Sequence, residues 1–134
     1  MSYVRTKIEI SNPQNPKLGK IEKEALVDTG ALMLCIPQHI CVQMGFEEIE
    51  KREVTTADGK KQLVPYVGPI LVHFENRSCF VGALVLGDDI LLGAIPMEDM
   101  DLIISPAHKK VIVNPDSPNF PRALVKEISE KPPF

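Results

Sequence analysis

At 134 residues, 44% hydrophobic and 25% charged, the chain has the size and composition of a single soluble domain that can bury a core without metal or disulfide help. A net charge of −3 provides no basic surface for nucleic acid. The most apolar run, residues 80–95, contains Asp88 and Asp89 and is too short to span a bilayer, so no membrane partner is expected. Three cysteines cannot all pair with one another and none forms a C-x-x-C, which points to reduced thiols and a cytoplasmic location.

Residues 3–10 alternate, with Val4, Thr6, Ile8 and Ile10 on one face, as a half-buried strand requires. Nothing in residues 1–7 has the apolar centre of a secretory signal. Residues 12–19 are punctuated by proline and glycine and read as a loop. Residues 20–27 form a second strand, with Glu22 and Glu24 in its exposed half and a wholly apolar end. The chain then passes through Asp28-Thr29-Gly30-Ala31 into a short buried strand over residues 32–36. Residues 37–44 read as one or two helical turns, with Pro37 at the first helical position and Gly45 at the end. Cys35, His39 and Cys41 are close in sequence, but a zinc site usually takes four ligands in recognisable pairs, so no metal or other cofactor is expected.

Residues 47–56 and 61–67 flank Ala57-Asp58-Gly59-Lys60 and predict a hairpin. Residues 70–75 and 79–86 flank a tight turn at Asn76-Arg77, and Asn76-Arg77-Ser78 would be a glycosylation acceptor only in a secreted chain. Ile90-Leu91-Leu92-Gly93 is a short, buried strand, and residues 96–100 have the marks of a short helix with acids in its first turn. Residues 102–105 and 111–114 form a last hairpin. The domain is thus expected over residues 1–114. A Pro-rich tail follows over residues 115–134, with a weak helical pattern at Leu124 and Ile128. The tail reads as a loosely ordered terminus, or alternatively as an arm that packs on a partner subunit.

The chemistry concentrates at Asp28. An acid at the end of a buried strand is costly unless hydrogen bonds and partners compensate its charge. Thr29 supplies a hydroxyl, and Gly30 lets the backbone turn and approach a neighbour closely. Asp, Thr and Gly are also common at ordinary strand exits. The sharper reading is the active-site loop of an aspartic peptidase, and the pattern occurs once. Such chemistry needs two carboxylates sharing one proton: one draws a proton from water while the other, protonated, polarises the scissile carbonyl. Asp58-Gly59 lacks the hydroxyl residue and reads as a turn. The second carboxylate would therefore be Asp28 of another subunit, across a two-fold axis.

The run from Glu24 to Ala31 resembles the catalytic loop of the retropepsin-like aspartic peptidases, the single-domain homodimers that include the retroviral proteases. About sixty residues downstream, Ile90-Leu91-Leu92-Gly93 and the short helix after it resemble their second signature. Residues 51–74 stand where those enzymes carry the flap hairpin, and the resemblance spans residues 1–105, nearest to the prokaryotic members. It implies an all-β chain folded as a closed acid-protease barrel, one lobe per chain, and a homodimeric endopeptidase acting on peptides or proteins. Asp28 would be catalytic, and Thr29, Gly30, Ala31, Leu91, Leu92 and Gly93 would support the loop. The two leucines would pack under it, and Gly93 would let the helix start hard against the strand. Ala57, Asp58 and Gly59 would cover the substrate. The acid–arginine pair of the viral enzymes is replaced by Leu32, Met33 and Ala94, which implies an apolar interface. The alternative is a catalytically silent module of the same fold, used for dimerisation or peptide binding.

Overall fold

The computed structural model describes residues 4–125. Strand β1 (Val4–Ser11) pairs antiparallel with β2 (Lys20–Val27) over its whole length, Val4 opposite Val27 and Ser11 opposite Lys20. There follow β3 (Leu34–Ile36), α1 (Gln38–Met44), β4 (Glu48–Thr55), β5 (Lys61–Phe74), β6 (Arg77–Val85), β7 (Ile90–Leu92), α2 (Ala94–Asp99), β8 (Leu102–Ser105) and β9 (Lys110–Val113). One sheet runs β1-β2-β7-β3-β6-β5-β4, and a further pairing of β1 with β5 closes its first six strands into a barrel. Strand β4 lies outside that closure, paired only with β5 among the described residues. β8 and β9 form a separate hairpin.

The mainly β expectation is met, and the two-residue period explains the core. Ile8 and Ile10 of β1, Ala25 of β2, Ile70 and Val72 of β5, Ala83 of β6 and Leu92 of β7 all point inward and are essentially without exposure. Closure removes the free edges that an open sheet would leave, except along β4. Ile40 and Met44 of α1, and Met97 of α2, extend the same apolar core. Among the described residues no helix is long and apolar enough to cross a membrane.

Several local expectations need correction. The segments 61–67 and 70–75 are one strand, because the break at Gly68-Pro69 is absorbed as a bulge where the register with β6 shifts between Val67 and Ile70. The following turn is centred on Glu75 and Asn76, since Arg77 already belongs to β6 and pairs with Phe74. β3 starts only at Leu34, leaving Leu32 exposed. Pro37 caps α1 instead of opening it, while Gly45 ends the helix in the left-handed conformation as expected. Helix α2 begins at Ala94, directly after Gly93, so Glu98 and Asp99 fall in its last turn and not its first. Tyr3 and Ile128 lie outside the described residues, while Leu124, the other residue of the tail's helical pattern, is exposed and in no helix.

The tail is strapped down as far as Arg122 rather than loose. Asp101 accepts hydrogen bonds from the Ser117 hydroxyl, from the Asn114 amide at 3.0 Å and from the Arg122 N–H at 2.9 Å. Asn76 donates to the Pro118 carbonyl at 3.0 Å, and the buried Arg77 donates to the carbonyl of Ser117. The Ser117 hydroxyl first, then the Asn114 amide and the Arg122 N–H, push the Asp101 carboxyl down to about 2. Its value in the folded chain thus lies below the roughly 3.9 of a free aspartate. The strap's contribution is therefore complete above about pH 4 and lost as the pH falls through about 2. The Arg122 amide resonance should titrate with a midpoint near 2. Asp101→Ala should release residues 114–122 at neutral pH, seen as faster amide exchange; unchanged exchange would mean the strap is held by other contacts.

Candidate functional site

Strand β2 runs parallel to β7, with Val27 opposite Leu92, and the chain leaves the barrel one residue later. Asp28 is held at that rim because its N–H donates to the Leu92 carbonyl at 3.1 Å. Its Oδ1 accepts the Gly30 N–H at 3.0 Å, and its carbonyl accepts the Ala31 N–H at 3.0 Å. The loop is therefore an aspartate-centred turn wound on its own backbone. Asp28, Thr29 and Gly30 are all exposed.

The loop is clamped from the other side by the start of α2. The Ala94 N–H donates to the Ala31 carbonyl at 2.9 Å, and the Ile95 N–H to the Leu32 carbonyl at 2.8 Å. Two amides that a helix start leaves unpaired are thus satisfied by the loop. Only glycine fits at position 93, where a Cβ would lie 2.5 Å from the Met33 carbonyl oxygen and 2.8 Å from that of Ala31. Leu92 is fully buried beneath the loop. Leu91 is not: alternation along β7 turns it to the opposite face, where it is half-buried and lines a cleft.

That cleft, about 880 Å³, separates the Asp28 loop from β4. Its floor is apolar, made by Met33, Cys35, Leu84, Leu86 and Leu91. Its other wall is residues 52–57 in unbroken succession. Consecutive rather than alternate residues line it because the cleft follows the edge of β4 that pairs with no other strand among the described residues. A small apolar cluster, distinct from the barrel core, roots the β4–β5 hairpin on the floor: Val54, Val64 and Tyr66 pack with Cys35, Leu84 and Leu91.

Of the three residues expected at the hairpin tip, Ala57 lines the cleft whereas Asp58 and Gly59 do not. Asp58 braces the turn, its Oδ1 accepting the Thr56 hydroxyl and the Lys60 N–H. The Thr56 hydroxyl first, and then the Lys60 N–H, lower its carboxyl below the usual range. Gly59 takes φ +84°, as the turn requires. Asp58 is thus committed to the turn and supplies no second carboxylate to the cleft. Glu53 lies on the strand face where Lys61 stands 3.9 Å away.

Three residues of the site escaped the sequence reading. Cys35, considered there as a reduced thiol and as a metal ligand, sits on the cleft floor opposite Leu91. Burial first, and then the Asp28 charge, raise its thiol above the ordinary range, so it stays protonated and weakly nucleophilic. No histidine lines the cleft to activate it. His39 and Cys41 lie on α1, Cys41 donating to the Phe46 carbonyl at 3.6 Å, and no three metal-ligating side chains converge among the described residues. Arg52 also lines the cleft, its guanidinium 3.9 Å above the Tyr66 ring. Tyr66 in turn needs Gly82, where a Cβ would come within 2.2 Å of the ring. The hairpin register was the available signal: with Thr55 opposite Lys61, Arg52 faces Val64, diagonal to Tyr66.

No family model matches the chain, and none of the curated proteins matches it.

Gly93→Ala should therefore cost about 3 kcal/mol or more of stability, since the obstructing atoms are backbone that cannot rotate away. Gly59→Ala, which meets nothing within 4 Å, should cost only about 1 kcal/mol for its positive φ. Urea unfolding of both variants measures the contrast; equal losses would mean that the approach at Gly93 is not the constraint.

Proposed function

We propose that the chain is one half of a homodimeric aspartic endopeptidase of the retropepsin-like kind. One observation carries this: the exposed carboxylate of Asp28 stands at the rim of a closed barrel in a loop clamped on both sides, facing a large cleft with an apolar floor. The other wall is an unpaired strand edge, which suits an extended peptide that adds backbone hydrogen bonds to the edge while apolar pockets take its side chains.

Two Asp28 carboxylates, one from each subunit, would hold a single proton between them. The ionised one takes a proton from water as the water oxygen attacks the scissile carbonyl carbon. The protonated one gives its proton to the carbonyl oxygen, leaving a neutral tetrahedral diol. Collapse breaks the C–N bond, with one proton passing to the leaving nitrogen and another returning to the dyad. Gly30 and Ala31 hold the carboxylate in place through the turn, and Thr29 would brace the two loops across the axis. Leu32 and Ile95, 63% and 43% exposed and joined through their backbones, are the apolar surface nearest the loop and would meet in the interface. The second reading, a peptide-binding module without turnover, draws on the open β4 edge, which binds a strand whatever residue 28 is.

A peptide-library digest separates the two. Cleavage should be fastest at acid pH and decline as the shared proton is lost on raising the pH. It should also fall on dilution, since each monomer has one Asp28. Asp28→Asn, nearly the same size, should lower the rate roughly a thousandfold or more while folding and dimerisation persist. Leu32→Asp should shift sedimentation toward monomer. Binding of peptides with no cleavage at any pH would favour the module; cleavage surviving in Asp28→Asn would remove Asp28 from the chemistry.

A further inference from the structure

Among the described residues lining the cleft, Arg52 is the one cation; the anions are Asp28 and Glu53. Arg52 and Glu53 point to opposite faces of β4, as neighbours on a strand must, and Glu53 has Lys61 on its own side. The Arg52 side chain is 42% exposed, yet it is held in one place by two contacts. Its face stacks on Tyr66 at 3.9 Å, and its Nε donates to Glu50 Oε2 at 2.7 Å.

Those contacts leave part of the guanidinium free. Stacking uses the flat face and Glu50 uses the Nε, so the two terminal nitrogens make no hydrogen bond to the described residues. A guanidinium presents its donors as a planar fork that matches a carboxylate with two parallel hydrogen bonds. Holding the fork in advance removes most of the ordering cost of binding. The Tyr66 ring that holds it lies where residue 82 has no side chain, so the arrangement is built from three strands, β4, β5 and β6.

Resting on the peptidase reading of the cleft, we infer that Arg52 is a specificity-determining residue that selects an acidic side chain, Asp or Glu, in the bound peptide. The peptide would place apolar side chains against Leu84, Leu86 and Leu91 and a carboxylate against the Arg52 fork. In a two-fold dimer a second Arg52 would offer the same contact on the other side of the scissile bond. Tyr66 acts as a positioning residue, with no contact to peptide required.

The test uses matched peptides with blocked ends that differ only by Glu against Gln at one position, chosen from a library digest. Full-length protein should cleave the Glu peptide about tenfold to a hundredfold better in kcat/KM. Arg52→Gln should bring the ratio toward one, and Arg52→Glu should turn the preference toward Lys. Tyr66→Leu should lower the ratio in part, mainly through KM. A Glu-to-Gln ratio unchanged in Arg52→Gln would overturn the assignment. Fluorescence anisotropy on the Asp28→Asn protein measures the same discrimination as Kd without turnover. Failure of catalysis with retained Glu preference would therefore sink the peptidase reading but not Arg52. Equal binding of both peptides, or binding of neither, would sink Arg52 itself.

Discussion

Everything at the site depends on one close backbone approach, that of Gly93 to the carbonyls of Ala31 and Met33. β7 is only three residues long, yet it lies between β2, parallel on one side, and β3, antiparallel on the other. A strand that short cannot fix its own position through side-chain packing alone. It is fixed by its ends: Leu92 gives its carbonyl to Asp28, and the chain beyond Gly93 turns at once into α2, whose first amides grip the loop. The contacts that fix β7 within the barrel therefore also set the orientation of Asp28. Fold and candidate site share one constraint, which is why a methyl group at position 93 would disturb both.

Much of this was legible in the sequence because it follows short-range rules. The alternation of β1, the apolar end of β2, the turn at residues 56–60 and the C-terminal glycine of α1 are local signals, and the structure has each of them. The errors also have local causes. Gly68-Pro69 reads as a stop, yet a bulge can carry a strand through it when β6 supplies pairing on both sides. The acids of α2 suggested a helix start near Pro96, but the tertiary grip on Ala94 and Ile95 sets the start two residues earlier. Treating Leu91 and Leu92 as a packed pair ignored the strand period, which had to send one inward and the other to the cleft. The tail's anchoring was not legible, since it depends on Asp101 reaching Asn114, Ser117 and Arg122 through a fold that composition does not reveal.

Charge is placed economically around the cleft. Lys51 with Glu48, Arg52 with Glu50 and Lys61 with Glu53 form exposed pairs along the β4–β5 hairpin. Such pairs add little stability. Their effect is on position: charged side chains along an edge strand discourage uncontrolled pairing with other chains, while the Tyr66 stack gives Arg52 a fixed direction. Cys35 on the cleft floor is uncharged, its thiol raised by burial, as is Cys79 in the barrel core, pushed up to about 12, chiefly by burial and then by the charge of Asp99. The cleft floor is thus a neutral surface with charge confined to its rim, the arrangement that suits apolar side chains below and a polar backbone above.

If the proposed dimer forms, its strength follows from the surface around Asp28. Leu32 and Ile95 leave about half their area in water, so burying them in both copies would contribute roughly 1 kcal/mol per side chain, about 4 kcal/mol in all. Association costs about 4–15 kcal/mol in lost translational and rotational freedom, so these contacts alone give a weak pair. A peptide lying across both clefts would bind only the paired state and stabilise it by mass action. Assembly and substrate binding would then be one coupled equilibrium. The clamp on the Asp28 loop explains how that equilibrium can yield an ordered site: both carboxylates are already oriented in the separate chains, so pairing need only bring them together.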